Sequence, residues 1–296
     1  MIKIQNSNLK IQNDNSKFKI IKMKKQNKKL KGKRILVTGK GGSGKSTLVT
    51  LMAKILQEKG YRVLALDGDA SNPQGLASLM FGLKKEEKFP KPLIEFFGGI
   101  KKVTCPVDDP SFLTRVNDSV PVPQKKIDIF KEIPDKYFVR REGVILFQAG
   151  KIKEYGQGCD GPVEKVVRDF MVKGDYVNLI DTKAGVEHFG RKISENVDVI
   201  LLILDPTLES ISMAKRVNGF CKDIKMKNFW LILNKIKSKK VESQMMNKLK
   251  GLKSKVLGTV QCDSKIIESA LKGALDTESK TFSEVKEIVK KLELLV

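Results

Sequence analysis

Eight consecutive residues, Gly39-Lys40-Gly41-Gly42-Ser43-Gly44-Lys45-Ser46, combine freely turning backbone with two ammonium groups and a hydroxyl. That combination suits a polyphosphate. The glycines let successive N–H groups turn toward an anion, Lys45 can reach β- and γ-phosphate oxygens, and Ser46, followed by Thr47, can offer its hydroxyl to Mg2+. The spacing is that of GxxxxGK[ST], a pattern that means phosphate binding only between a strand and a helix. Both elements are expected. Arg34 to Thr38 (RILVT) reads as a buried strand, and Leu48, Met52, Ile55 and Leu56 recur at helical spacing from Ser46 to Glu58, until Gly60 ends the run. The positive end of that helix would face the phosphates. The segment predicts an ATP site with Mg2+ as its companion ion.

Carboxylates at strand ends extend the site. Arg62 to Asp67 (RVLALD) predicts a second strand running into Gly68-Asp69; carboxylates at such a strand end, beside a phosphate loop, can hold Mg2+ or orient attacking water, and Asp69 is the candidate for both, with Asp67 the more structural acid. Tyr176 to Asp181 (YVNLID) predicts a third, with Asp181 holding Mg2+ and Gly185 sensing the γ-phosphate. Asp198 to Asp205 (DVILLILD) and Phe229 to Asn234 (FWLILN) are apolar enough for the middle of a parallel sheet. The expected fold is α/β, a doubly wound, mostly parallel sheet of the P-loop NTPase type flanked by helices, over residues 33–296 with an insertion at about 84–142.

The second lysine of the loop, Lys40, makes the motif K-G-G-x-G-K-S. This resembles the deviant Walker A of the MinD/ParA and nitrogenase iron protein superfamily. The resemblance implies that Lys40 reaches the phosphates of a partner subunit in an ATP-dependent homodimer, that Lys40, Lys45, Asp69 and Asp181 carry catalysis, and that Asn234 contacts the base. Further on, LFQAGKIKEYGQGCDG, LIDTKAGVEHFGR and DPTLES together look like the ATPases that help insert nickel into carbon monoxide dehydrogenase, the CooC-type accessory proteins. That likeness covers most of residues 33–275, including the stretch Glu95-Phe96-Phe97-Gly98-Gly99. It implies ATP hydrolysis to ADP and phosphate, and a client metalloenzyme such as carbon monoxide dehydrogenase.

Three departures qualify that implication. The family's glycine loop carries Cys-x-Cys, whereas here it reads Cys159-Asp160-Gly161, so the second cysteine is missing. Either the nickel or zinc site is weak or absent, or a symmetric pair of Cys159 and His188 makes an N₂S₂ site at the dimer axis. Lys183 replaces an acid commonly found beside the γ-phosphate, and Gln261-Cys262-Asp263 replaces a Pro-containing turn near the base. Slow hydrolysis follows as an expectation. Two other classes stay open: a partition or positioning ATPase acting on DNA or membrane, and an iron–sulfur electron-transfer ATPase like the nitrogenase iron protein, to which one cysteine per glycine loop would contribute.

The whole chain sets the frame for these residues. A chain of 296 residues, 41% hydrophobic, can bury one sizeable core. Its longest aliphatic run, Val199 to Leu204, is six residues, so it reads as a strand and not a membrane span. Four cysteines spaced 41 to 62 residues apart, without CxxC, fit a reducing cytoplasm. The net charge is +23, and residues 1–34 concentrate 12 Lys/Arg against the single acid Asp14. Such charge attracts nucleic acid or anionic membrane weakly and in a salt-dependent way, without making either a specific partner. Residues 1–32, with the near repeat KIQNSNLK and KIQNDNSK, read as a disordered basic tail, with Met23 an alternative start. The stripe Val285, Ile288, Val289, Leu292 is expected to pack on the protein's own sheet rather than on a membrane.

Overall fold

The computed structural model describes residues 28–84, 88–152, 154–155, 159–273 and 275–296, together with two short backbone pairings, β1 (Leu9–Lys10) and β2 (Ile21–Lys22). The rest of the basic tail lies outside the described residues. In chain order follow β3 (Arg34–Gly39), α1 (Lys45–Glu58), β4 (Val63–Gly68), α2 (Gly75–Phe81), α3 (Leu93–Phe96), α4 (Ile129–Glu132), β5 (Phe138–Arg141) and β6 (Val144–Gln148). Then come α5 (Gly161–Asp169), β7 (Val177–Thr182), α6 (Glu187–Gly190), β8 (Val199–Leu204), α7 (Leu208–Asp223), β9 (Phe229–Ile236), α8 (Lys239–Lys248), β10 (Val256–Gln261), α9 (Ser264–Leu271) and α10 (Lys280–Leu295).

Eight strands form one sheet in the order β10-β9-β8-β3-β7-β4-β6-β5, all parallel except the β5–β6 edge pair. Alternation along each strand divides the core into two layers. Ile35, Val37, Val63, Ala65, Leu201 and Ile203 face α1, α2 and α10, while Leu36, Leu64, Leu66, Ile200 and Leu202 face α5, α7 and α8. Coverage on both faces explains why β8 is fully buried along its length, as an unbroken aliphatic strand in a parallel sheet must be. Thr207, Ser238, Asp263 and Ser279 cap α7, α8, α9 and α10 with side-chain oxygens accepting from backbone N–H groups. The α10 stripe is spent on the sheet: Val285, Ile288, Val289 and Leu292 are buried in the same layer as α1.

One boundary differs from the sequence reading. Leu30, assigned above to the tail, is fully buried in the α1 layer, and Lys31 pairs with Asp175 at 3.0 Å. Residues 28–32 are therefore packed against the domain, because a leucine four residues upstream of β3 still finds apolar neighbours. Within the insertion, Leu93, Phe97, Leu113, Val122 and Ile129 join the α5 layer, and its last residues form β5. Aromatic stacking ties it down, with Phe97 and Phe147 both meeting Phe170, at 6.5 and 5.0 Å between ring centroids.

Candidate functional site

The glycine loop leaves β3 at its carboxyl end and enters α1 at Lys45. Gly42 and Gly44 have φ of 74° and 97°, a region costly for any side chain, and a Cβ at Gly44 would run into the Asn234 amide. Two residues at the end of β9 brace this loop from below. The Asn234 Nδ2 donates to the Ser43 carbonyl at 2.7 Å, and the Lys235 Nζ donates to the Gly42 carbonyl at 2.7 Å. Thus Asn234, expected at the base, reaches the phosphate loop itself. Lys45 is buried across the loop and donates to the Gly39 and Lys40 carbonyls at 3.3 and 3.1 Å. Burial lowers its pKa below the ordinary lysine value, against the opposing pull of Asp181 and Asp69.

Two of the residues expected to hold Mg2+ lie in hydrogen-bonding contact. Ser46 Oγ donates to Asp181 Oδ2 at 2.6 Å, while Asp181 Oδ1 is buried with no hydrogen-bond partner. Burial, reinforced by the neighbouring Asp67 charge, pushes the Asp181 carboxyl up to about 7. An orphaned carboxylate oxygen beside a hydroxyl fits a hard divalent cation. Asp69 lies at the rim, its carboxylate accepting from the Ser71 backbone N–H at 3.0 Å and the Ser71 hydroxyl at 2.6 Å, close enough to Lys45 and Asp181 to act on both electrostatically. Asp67 is structural: it is fully buried, accepts from Leu76 N at 3.0 Å and forms an ion pair with Lys151 at 2.8 Å. That lysine, missed at the sequence level, also donates to the Asp69 carbonyl at 2.7 Å. The only sequence signal was its place just after a strand, Gln148 being the last residue of β6.

The segment Ala184-Gly185-Val186-Glu187-His188-Phe189-Gly190-Arg191, here called switch II, meets the phosphate loop. Gly185, with φ of 105°, donates its N–H to the Gly39 carbonyl at 3.4 Å. His188 is 2% exposed, its Nε2 has no partner, and burial, with Lys45 and Arg191 nearby, lowers its pKa to about 3. It is a buried, uncharged imidazole within switch II, whereas Cys159 is exposed. Among the described residues no group of three or more His, Cys, Asp or Glu is arranged to hold a metal.

The two lysines peculiar to this loop system are both ion-paired. Lys40 Nζ lies 3.4 Å from Asp205 and 3.3 Å from Glu209, the acids of DPTLES, which open α7. Desolvation opposes its charge, but Glu209 and Asp205 outweigh that and raise its pKa. Lys183 pairs with Asp160 at 2.6 Å, and Arg191 bridges Asp160 at 2.8 Å to Glu164 at 2.6 Å. Switch II is therefore bolted to the Cys159-Asp160 turn and the first turn of α5. Asp160 stays below the usual carboxylate range: burial works against ionisation, and the two cations overcome it.

A parallel sheet with a glycine loop, a buried lysine and a Ser46–Asp181 pair at the carboxyl ends of its central strands defines a P-loop nucleotide-binding protein. The chain belongs to the CobQ/CobB/MinD/ParA nucleotide-binding domain family, whose model matches residues 35–275. An uncharacterised ATP-binding protein of Methanocaldococcus jannaschii is 32% identical over 267 residues, which is 86% of this chain and 98% of that one. The carbon monoxide dehydrogenase accessory protein CooC of Rhodospirillum rubrum is 30% identical over 209 residues, covering 69% of this chain and 75% of its own. In fold the chain matches the cell division ATPase MinD of Pyrococcus furiosus with a TM-score of 0.59 at 19% identity, over 90% of this chain and all of that one. Among the described residues no helix is long and apolar enough to cross a membrane.

Proposed function

We propose that this chain is an ATP-hydrolysing accessory protein, acting as an ATP-closed homodimer that helps mature a metalloenzyme, with nickel insertion into carbon monoxide dehydrogenase as the client reaction. The observation that carries this reading is the ion-pair ladder from switch II to the thiol turn, Lys183 and Arg191 on Asp160 and Arg191 on Glu164. Such a ladder gives a change at the γ-phosphate a route to a surface cysteine. A positioning ATPase has no use for that route, and the likeness to CooC supports the same choice.

The chemistry divides among residues in place. The α1 N-terminus and Lys45 would hold the β- and γ-phosphates. Ser46 and Asp181 would hold Mg2+, which offsets charge gathering on the phosphate oxygens. Asp69 would orient water for in-line attack, so that the γ-phosphoryl group passes to water and ADP leaves. Lys40 is held in its own chain by Asp205 and Glu209. In the dimer it would leave those acids for the partner's γ-phosphate, a target that ATP offers and ADP lacks.

Lys40→Ala tests the enzyme half of the proposal. Calorimetry should show MgATP binding kept, light scattering should show the ATP-stabilised dimer lost, and kcat should fall roughly 1,000-fold or more, the scale of a lost trans cation. A mutant that dimerises and turns over like wild type refutes it. For the client half, apo carbon monoxide dehydrogenase with nickel should gain activity faster with this chain and ATP than with ADP. Equal rates reject nickel insertion.

A further inference from the structure

We propose that Lys151 is a positioning residue for ATP hydrolysis, one that fixes the backbone of Asp69 so that its carboxylate stands at the rim of the phosphate site, a role that rests on the reading of Asp69 as the water-orienting acid.

The sheet brings the two residues together. β4 and β6 are parallel neighbours, in register from Val63 opposite Val144 to Asp67 opposite Gln148, and the chain beyond β6 goes on following the chain beyond β4. Ala149 N donates to the Asp67 carbonyl at 2.8 Å and Ile152 N to the Ala70 carbonyl at 3.0 Å. Between these bonds Lys151 turns inward, its Nζ donating to the Asp69 carbonyl at 2.7 Å and to Asp67 Oδ2 at 2.8 Å. On the other side of the same residue, Asp69 N donates to Asp67 Oδ1 at 3.2 Å. The N–H and the C=O of Asp69 are thus both held, by a carboxylate and an ammonium that are themselves paired. Gly75 closes over this ring with φ of 49°, and a Cβ there would run into Asp67 Oδ2 and Lys151 Nζ.

A cation needed only to neutralise Asp67 could end on that carboxylate. Here the ammonium also takes the backbone oxygen of the acid at the rim. The Asp69 carboxylate itself accepts from the Ser71 N–H and hydroxyl, partners that belong to the same turn and move with it. Lys151 comes from beyond another strand, so its bond sets the turn against the sheet that carries Lys45 and Asp181. In-line attack tolerates little displacement, an error of about 1 Å costing on the order of 100-fold in rate.

The test uses the full chain with MgATP at a temperature where circular dichroism shows every variant folded. Lys151→Met combined with Asp67→Asn removes the ammonium without leaving an unpaired carboxylate in the core. Its kcat should fall roughly 10–100-fold, with MgATP affinity by calorimetry unchanged. Asp67→Asn alone leaves the amine on the Asp69 carbonyl and should lose less. In an Asp69→Ala background the same pair of changes should cost little more, since residues that act through one another are not additive. Wild-type kcat in the pair overturns the proposal, as do an equal loss in Asp67→Asn alone, a parallel loss of MgATP affinity, or a loss that multiplies in full with that of Asp69→Ala. Asp69→Ala turning over like wild type is a separate result: it overturns the water-orienting reading, and the role of Lys151 falls with it.

Discussion

Replacing Lys151 with methionine isolates the buried charge beneath the turn from Asp67 to Asp69. The Lys151 side chain is 2% exposed and that of Asp67 is fully buried, with 2.8 Å between Nζ and Oδ2. Methionine fills the same volume and leaves a carboxylate in the core without its cation, a change that typically costs about 3–5 kcal/mol. Asp67 keeps its hydrogen bonds from Leu76 N and Asp69 N, at 3.0 and 3.2 Å, which argues for the lower end, about 3 kcal/mol. With a total stability of about 5–15 kcal/mol and about 2–4 °C per kcal/mol for large domains, Tm should fall by roughly 6–12 °C. The pH dependence has a definite sign. Burial already raises the Asp67 pKa, and removing the cation raises it further. A carboxyl with a higher pKa folded than unfolded stabilises the fold at low pH and loses that contribution as pH rises, so the deficit against wild type should shrink on going from pH 8 to 5. Urea unfolding of wild type, Lys151→Met, Asp67→Asn and the double mutant measures this directly. The double mutant should regain at least half the loss, since no charge is then stranded. A single mutant within about 1 kcal/mol of wild type, or a deficit that grows as pH falls, would refute the assignment.

Lys45→Ala should abolish tight MgATP binding in calorimetry, because it removes the charge that bridges the β- and γ-phosphates in a preformed cradle. Deleting residues 1–27 removes seven lysines and should leave the fold and ATPase activity intact while weakening retention on heparin. Extending the deletion through residue 32 should instead lower stability by about 2–5 kcal/mol, the cost of emptying a leucine site, because Leu30 is fully buried.

The strands and the phosphate loop were legible because local pattern determines them. An aliphatic run ended by a glycine loop and followed by helical spacing leaves few other folds, and Ser46 at the start of α1 meets Asp181 at the end of β7. The bracing residues were not legible. Lys151 lies 84 residues from Asp67, and Lys235 lies 193 residues from Gly42. On the page each is one lysine among 57 Lys and Arg residues, and only the sheet order brings it under the site. Leu30 was misplaced because a single apolar residue in a lysine-rich stretch carries no period. The insertion was seen as extra length, but that Leu93, Phe97 and Leu113 would join the main core was not, since contacts between distant segments leave no local signature.

The departures from the accessory-ATPase pattern read differently once they are placed in space. Lys183, the cation where an acid is usual, sits 2.6 Å from Asp160, and Gly161, the missing thiol, is the surface on which Cys105 Sγ rests. Both changes meet at the same turn, where the chain leaves the glycine loop for α5. An acid at 183 would face Asp160 as a like charge, and a side chain at 161 would expel Cys105. Residue 183 is thus constrained by residue 160, and residue 161 by residue 105. Independent erosion of a site leaves unpaired charges and empty volume. Here the charges are paired and the volume beside Gly161 is occupied by the Cys105 side chain, so the turn before α5 stays joined to the Lys183–Arg191 segment and closely packed.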